Sequence, residues 1–190
     1  MDDSGPDIKQ EITQVLAGVN AGEQDLEALL PLVYGELKRL AASQVAREVD
    51  VITMGATGLL HETYLRLSRS DTQFQNRAHF FAAAGEAMRR ILVERARALS
   101  AAKRGQRPTR ITLNDAHQDL EQQTAVDVLA LDSALSDLES RDPAMATVVK
   151  LRYFGGLTVE ETAQALTVSA RSVNRAWTAA RAWLRVRLEA

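Results

Sequence analysis

The run SARSVNRAWTAARAW carries hydrogen-bond donors and acceptors at helical spacing. On a helix opening after Ser169, residues Arg171, Ser172, Asn174, Arg175 and Thr178 share the outer side. A guanidinium matches the two acceptors of a guanine edge, a carboxamide matches adenine, and small hydroxyls suit phosphate oxygens. Arg181, then Arg185 and Arg187, extend the charge along the same helix for contacts that do not depend on base sequence. Ser169 stands where its hydroxyl can accept from the exposed amides of the first helical turn. The chemistry on offer is recognition of a polyanion with base edges in reach.

Such a helix needs a partner to hold it, and the preceding segment GLTVEETAQAL supplies one. Thr158 with Glu161 three residues on forms a capping box that opens a short helix. Two helices that cross steeply at a tight turn need apolar facing positions and one small residue at the crossing. Those demands fall on Ala163, Leu166, Val168, Val173 and Ala176, with Ala163 as the small contact. The turn calls for a left-handed residue, usually glycine, and Thr167 in its place costs about 1 kcal/mol. Taken alone, the stretch fits a helix-turn-helix and also a plain helical hairpin.

A second basic region lies upstream. The net charge of -2 conceals four blocks. Residues 1–75 carry 6 basic and 12 acidic side chains, whereas residues 76–110 carry 9 basic ones against Glu86 and Glu94. Residues 111–142 hold 8 acidic groups and Arg141, and the remainder holds 7 basic groups against Glu160, Glu161 and Glu189. Two basic blocks separated by an acidic one suit two polyanion contacts joined by a connector that a polyanion repels. Ordinary solvated helix faces give the same pattern. Ahead of the first basic block, the polar loop Gln73, Phe74, Gln75 and Asn76, beside Arg77, is suited to hold unstacked single-stranded bases. Phe74 is then either the aromatic platform or a core residue capping its domain.

Catalysis finds no constellation. His61-Glu62 begins a zinc-protease-like motif, but the position one turn on holds Leu65 instead of a second histidine. His79 and His117 lie in separate segments, and neither a glycine-rich phosphate loop nor a nucleophile elbow appears. The chain has no cysteine, which excludes disulfides, thiolate zinc sites and thiol redox sensing. A non-enzymatic chain without a cofactor is expected. No run approaches the roughly 18 apolar residues of a membrane span, and the acidic start MDDSGPD lacks the order of a secretion signal. A cytoplasmic protein with no membrane insertion is the expectation.

Helical periodicity dominates and no stretch alternates with period two, which predicts an all-α fold. Ile8, Ile12, Val15, Leu16 and Val19 mark a first helix that stops at Asn20-Ala21-Gly22. A second runs from about Asp25 through Leu40, with Pro31 kinking it or lying near its true start. Residues 47–58 show no clear pattern. Leu59, Leu60, Thr63, Tyr64 and Leu67 line a third helix, and the longest spans about 77–101 with Phe81, Ala84, Met88, Ile91, Leu92 and Arg95 facing the core. Gly105 and Pro108 break that helix, and the acidic run beyond has nothing to bury. Order returns at Val128, Leu131, Leu135 and Leu138; Asp142 then caps a helix with Pro143 at its first position and an end at Gly155-Gly156. The predicted organisation is two small helical domains, 1–104 and 125–190, joined by a flexible acidic linker over 105–124, with the helix-turn-helix in the second.

These blocks together resemble the extracytoplasmic-function (ECF) group of sigma-70 type sigma factors, promoter-recognition subunits of bacterial RNA polymerase, over nearly the whole chain. The block LSDLESRDPAMATVVKLRYFGGLTVEETAQALTVSARSVNRAWTAARAWL resembles the family's fourth conserved region. That implies upstream-element contacts from Ser169, Arg171, Ser172, Asn174, Arg175, Thr178 and Arg181. TGLLHETYLRL resembles the helix that grips the polymerase clamp, which implies core-polymerase contacts from Leu60, His61, Glu62 and Leu65. Here Gly58 replaces a usual acidic residue and His61 a usual glutamine. FFAAAGEAMRRILVERARALSAAKRG resembles the helix that recognises and helps melt the downstream element, which implies roles for Arg77, Arg90 and Arg97 with the loop Gln73, Phe74, Gln75 and Asn76. Arg90 stands where many members have asparagine, which suggests an altered base preference or a phosphate contact. The resemblance implies a transcription initiation factor whose partners are core RNA polymerase, promoter DNA in duplex and single-stranded form, and an anti-sigma factor. The linker would lie in a basic channel of the polymerase or act as a plain tether. The competing reading is a free-standing helix-turn-helix regulator that binds duplex DNA as a dimer; it leaves the basic helix after Asn76 without a role.

Overall fold

The structure, a computed structural model, describes residues 6–46, 54–102 and 128–189. Among these residues every regular element is helical and no strand forms, so the fold is all-α. Helix α1, Pro6–Asn20, buries Ile12 and Leu16 four residues apart and stops where Gly22 turns to φ 74°, a region open to glycine at little steric cost. A 3-10 turn, Leu26–Leu29, leads into α2, Leu30–Val45. Pro31 sits in the first turn of α2, where its missing N–H has no helical partner to lose. The proline therefore starts this helix and does not kink it. Helix α3, Ala56–Ser68, opens ahead of its first buried leucine, so residues 56–58 of the patternless stretch are helical.

Helix α4, Arg77–Ala102, is the longest element. Its buried face includes Phe80, Phe81, Ala84, Met88, Ile91 and Leu92. Each large side chain of this kind contributes about 2 kcal/mol relative to exposure. Arg95 was expected on that face but is only half-buried, with its guanidinium 2.9 Å from Glu62 on α3. A long cationic side chain lays its stem along apolar surface and carries its head to a carboxylate. The acidic linker over 105–124, and the domain borders at 104 and 125, lie outside the described residues.

Beyond them come α5, Val128–Arg141, and α6, Pro143–Val149, the latter running into a π-helical turn, Lys150–Phe154. Asp142 caps α6 as its sequence demands, accepting from the Met145 amide at 2.9 Å. Helix α7, Val159–Leu166, and α8, Ala170–Glu189, complete the chain. The capping box of α7 is formed in both directions: the Glu161 amide donates to Thr158 Oγ1 at 3.1 Å, and the Thr158 amide donates to Glu161 Oε2 at 3.0 Å.

Two main groups of buried side chains organise the helices. One joins α1 to α4 around Leu16, Val33, Leu37, Leu59, Met88 and Ile91, and it also takes in Leu151 and Leu157 from either side of the Gly155-Gly156 corner. The other lies among α5, α6 and α8, around Leu135, Leu138, Val149, Phe154, Ala180 and Leu184. The C-terminal helices thus have a core of their own and also pack on the first one.

Candidate nucleic-acid interface

Helix α8 is two-sided because its apolar residues recur at helical spacing. Val173, Ala180 and Leu184 are buried at 1% exposure or less. On the opposite side Arg171, Asn174, Arg175 and Thr178 are exposed. No acidic residue occurs on this helix before Glu189. Ser169 accepts from the Ser172 amide at 3.1 Å, and the two hydroxyls lie 2.9 Å apart. Ser172 is half-buried within that cap, and Arg181 is half-buried further along. Arg187 is held by Asp137 at 2.6 Å.

The turn before α8 fixes its direction. Thr167 adopts φ 55° and ψ 42°, left-handed as its position requires. The Val168 amide reaches back to the Ala163 carbonyl at 3.0 Å, which closes the C-terminus of α7 in the manner of a Schellman turn. Ala163 and Val173 meet in a small cluster with Val148, while Leu166 and Ala176 pack at its edge. Val168, expected among the facing positions, is 46% exposed. The reversal at Thr167 leaves it on the outside of the turn.

The loop before α4 is anchored rather than free. Asn20 clasps the main chain of Phe74, donating to its carbonyl at 2.9 Å and accepting from its amide at 3.0 Å. The Phe74 ring is 2% exposed and meets Phe80 edge-on, with centroids 5.3 Å apart. Gln73, Gln75 and Asn76 are exposed around it. Asn76 also caps α4 by accepting from the His79 amide at 2.9 Å.

The basic side chains of α4 are nearly all engaged. Arg77 bridges Glu36 on α2 and Glu161 on α7, the latter at 2.7 Å, and its guanidinium lies 4.7 Å from the Phe81 ring centroid. Arg89 bridges Glu86 and Asp132. Arg90 is exposed, with Nε 3.0 Å from Glu86, and Arg97 is exposed with one nitrogen 3.0 Å from Asp132. Burial would raise the Glu86 carboxyl, but the hydrogen bonds and charges of Arg89 and Arg90 outweigh it and hold the group below its ordinary range. Burial likewise opposes the charged form of Arg89, and Glu86 and Asp132 more than offset it. Asp132 and Arg89 carry no motif; they are found only when α5 is seen beside α4.

On α3, Leu60 is buried, Leu65 half-buried and His61 exposed. Glu62 is half-buried and pairs with Arg95, and more loosely with Arg66 at 3.9 Å one turn along the helix. The structure therefore gathers the sequence candidates into three separate places: the outer face of α8, the start and one side of α4, and α3. No described helix is long and apolar enough to cross a membrane.

Comparison with curated proteins and with solved structures finds no match. A family model described as ECF sigma factor matches residues 9–190, from the first turns of α1 to the chain's last residue. With the helix caps, the two-sided α8 and the basic α4 all inside that span, the chain belongs to the ECF sigma factor family, a family of RNA polymerase-associated transcription initiation factors.

Proposed function

We propose that this chain binds core RNA polymerase through α3, directs it to promoters through α8, and assists strand opening with α4 and the loop before it. Core RNA polymerase, promoter DNA and anti-sigma factors are the partners of this family, which is not a class of enzymes. The observation that carries the residue-level reading is the outer face of α8, where Arg171, Asn174, Arg175 and Thr178 stand exposed above a buried apolar side. Two arginines and an amide on one face can reach guanine and adenine edges in a major groove, and Ser169 orients the helix start. The exposed Gln73, Gln75 and Asn76 offer amides to unpaired bases, with Phe74 anchoring the loop that carries them. His61 and the partly exposed Glu62 and Leu65 are the polymerase-facing side chains of α3.

Titration of labelled chain with purified core polymerase tests this reading. Saturable binding is expected, weakened by a His61→Ala, Glu62→Ala pair and unaffected by Arg175→Ala. A chain that ignores core polymerase yet shifts duplex DNA as a dimer would instead be a free-standing regulator.

A further inference from the structure

The apolar stripe of α1 ends on a polar residue. Ile12, Leu16 and Asn20 recur four residues apart, so Asn20 continues the side of the helix that faces the first core. Its carboxamide meets both main-chain groups of Phe74, as donor to the carbonyl at 2.9 Å and as acceptor from the amide at 3.0 Å. A residue turns its N–H and C=O to the same side when its backbone is extended, which is how a strand residue meets its neighbour in an antiparallel ladder. Asn20 thus takes the place of a neighbouring strand, among described elements that are all helical.

Extension at Phe74 decides where its neighbours go, because successive extended residues project to opposite faces. The Phe74 ring is buried against Phe80. Gln73 and Gln75, both exposed, therefore share the outer face, with Cα atoms about 7 Å apart. The loop is held on either side as well: the Gln75 amide donates to His79 Nδ1 at 3.2 Å, and Ser70 Oγ donates to the Leu67 carbonyl at 2.8 Å. The two Asn20 bonds are part-buried, so removing the carboxamide leaves an N–H and a C=O unpaired where water reaches them poorly, and the loop must turn to satisfy them.

We infer that Asn20 is a positioning residue for strand opening: by holding Phe74 extended, it aims the Gln73 and Gln75 carboxamides outward as a pair that reads one unpaired base. The inference rests on the proposed role of this loop and adds to it a residue of α1 that itself touches no nucleic acid. Each carboxamide carries donors and an acceptor, so a fixed pair discriminates between base edges, whereas a pair on a loose loop adapts to all of them.

Fluorescence anisotropy of the full chain at low salt, with a labelled single strand of about 12 thymidines whose central base is varied among the four, tests this. The wild type should favour its best central base over its worst by about tenfold. Asn20→Ala should reduce that ratio to about twofold. Asn20→Asp keeps an acceptor for the Phe74 amide and loses the donor to its carbonyl, and should fall between the two. The Phe74 amide hydrogen should exchange about fivefold faster in Asn20→Ala. In a chain carrying Gln73→Ala and Gln75→Ala the ratio should already be about twofold, and adding Asn20→Ala should lower it no further, a result that loss of stability alone does not give. Three results would each overturn the inference: equal wild-type affinity for all four bases, the wild-type ratio in both Asn20 variants, or an Asn20→Ala loss that is the same for every base and persists without the two glutamines. Failure of the wild type to bind core polymerase would defeat the proposed function and leave these ratios, measured on the chain alone, unchanged.

Discussion

Thr167 is the one described non-glycine residue with a positive φ, and replacing it by glycine should stabilise the protein. Its φ of 55° and ψ of 42° put a β-branched side chain in the left-handed region, which costs on the order of 1–2 kcal/mol. The residue is exposed, so truncation removes no buried contact. Against the relief stands the greater freedom of glycine in the unfolded chain, about 0.4–1 kcal/mol. At mid-range, about 1.5 against about 0.7 kcal/mol, the difference is a gain of about 0.8 kcal/mol. For a chain of this length that raises Tm by about 1–4 °C, which thermal denaturation followed by circular dichroism resolves. Thr167→Ala is the control, because it keeps a Cβ in the left-handed region and should gain much less. An unchanged or lower Tm for Thr167→Gly would refute the claim that this turn is strained.

Three further outcomes follow from the same contacts. Asp142→Ala removes the acceptor for the Met145 amide and should cost about 1 kcal/mol in urea denaturation. Arg175→Ala should weaken binding to a target upstream element by about 1–3 kcal/mol if the guanidinium reads a base, whereas equal loss on all sequences would make it a phosphate contact. Glu86 and Glu161 both lie below their ordinary value of 4.5 when folded: burial acts against this in each, with Arg89 and Arg90 outweighing it at Glu86, and the Thr158 amide, Arg77 and Lys9 at Glu161. Their stabilising contribution is therefore present above about pH 4.5 and is lost as pH falls through the lower folded values, so the urea midpoint should drop between about pH 5 and pH 3 and Glu86→Gln should flatten that slope.

What was legible in the sequence was local. Asp142 followed by Pro143, Thr158 with Glu161, and the obligatory left-handed residue at Thr167 each declare themselves within four residues, because capping and turn chemistry act over one helical turn. The outer face of α8 was legible for the same reason: one helical period sorts Arg171, Asn174 and Arg175 from Val173 and Ala180. What was not legible depended on distant partners. Arg77 reads as a cation for nucleic acid until Glu161, 84 residues away, is found beside it. Arg89 and Asp132 are 43 residues apart, and Gly85 shows its purpose only when the Phe154 carbonyl is set against it. Arg95 was assigned to the core by spacing alone, and spacing does not show that Glu62 on α3 waits for its guanidinium. Phe74 offered two roles; its ring lies in the core here, with the exposed amides on either side of it.

Run-off transcription tests the central claim most directly. Core RNA polymerase, supplied with a pool of genomic fragments from the source cell, is assayed with and without the purified chain. The account predicts transcripts with defined starts that appear only when the chain is present and that weaken in Arg171→Ala and Arg175→Ala variants. Transcripts unchanged by the chain, or none from any fragment, would contradict it.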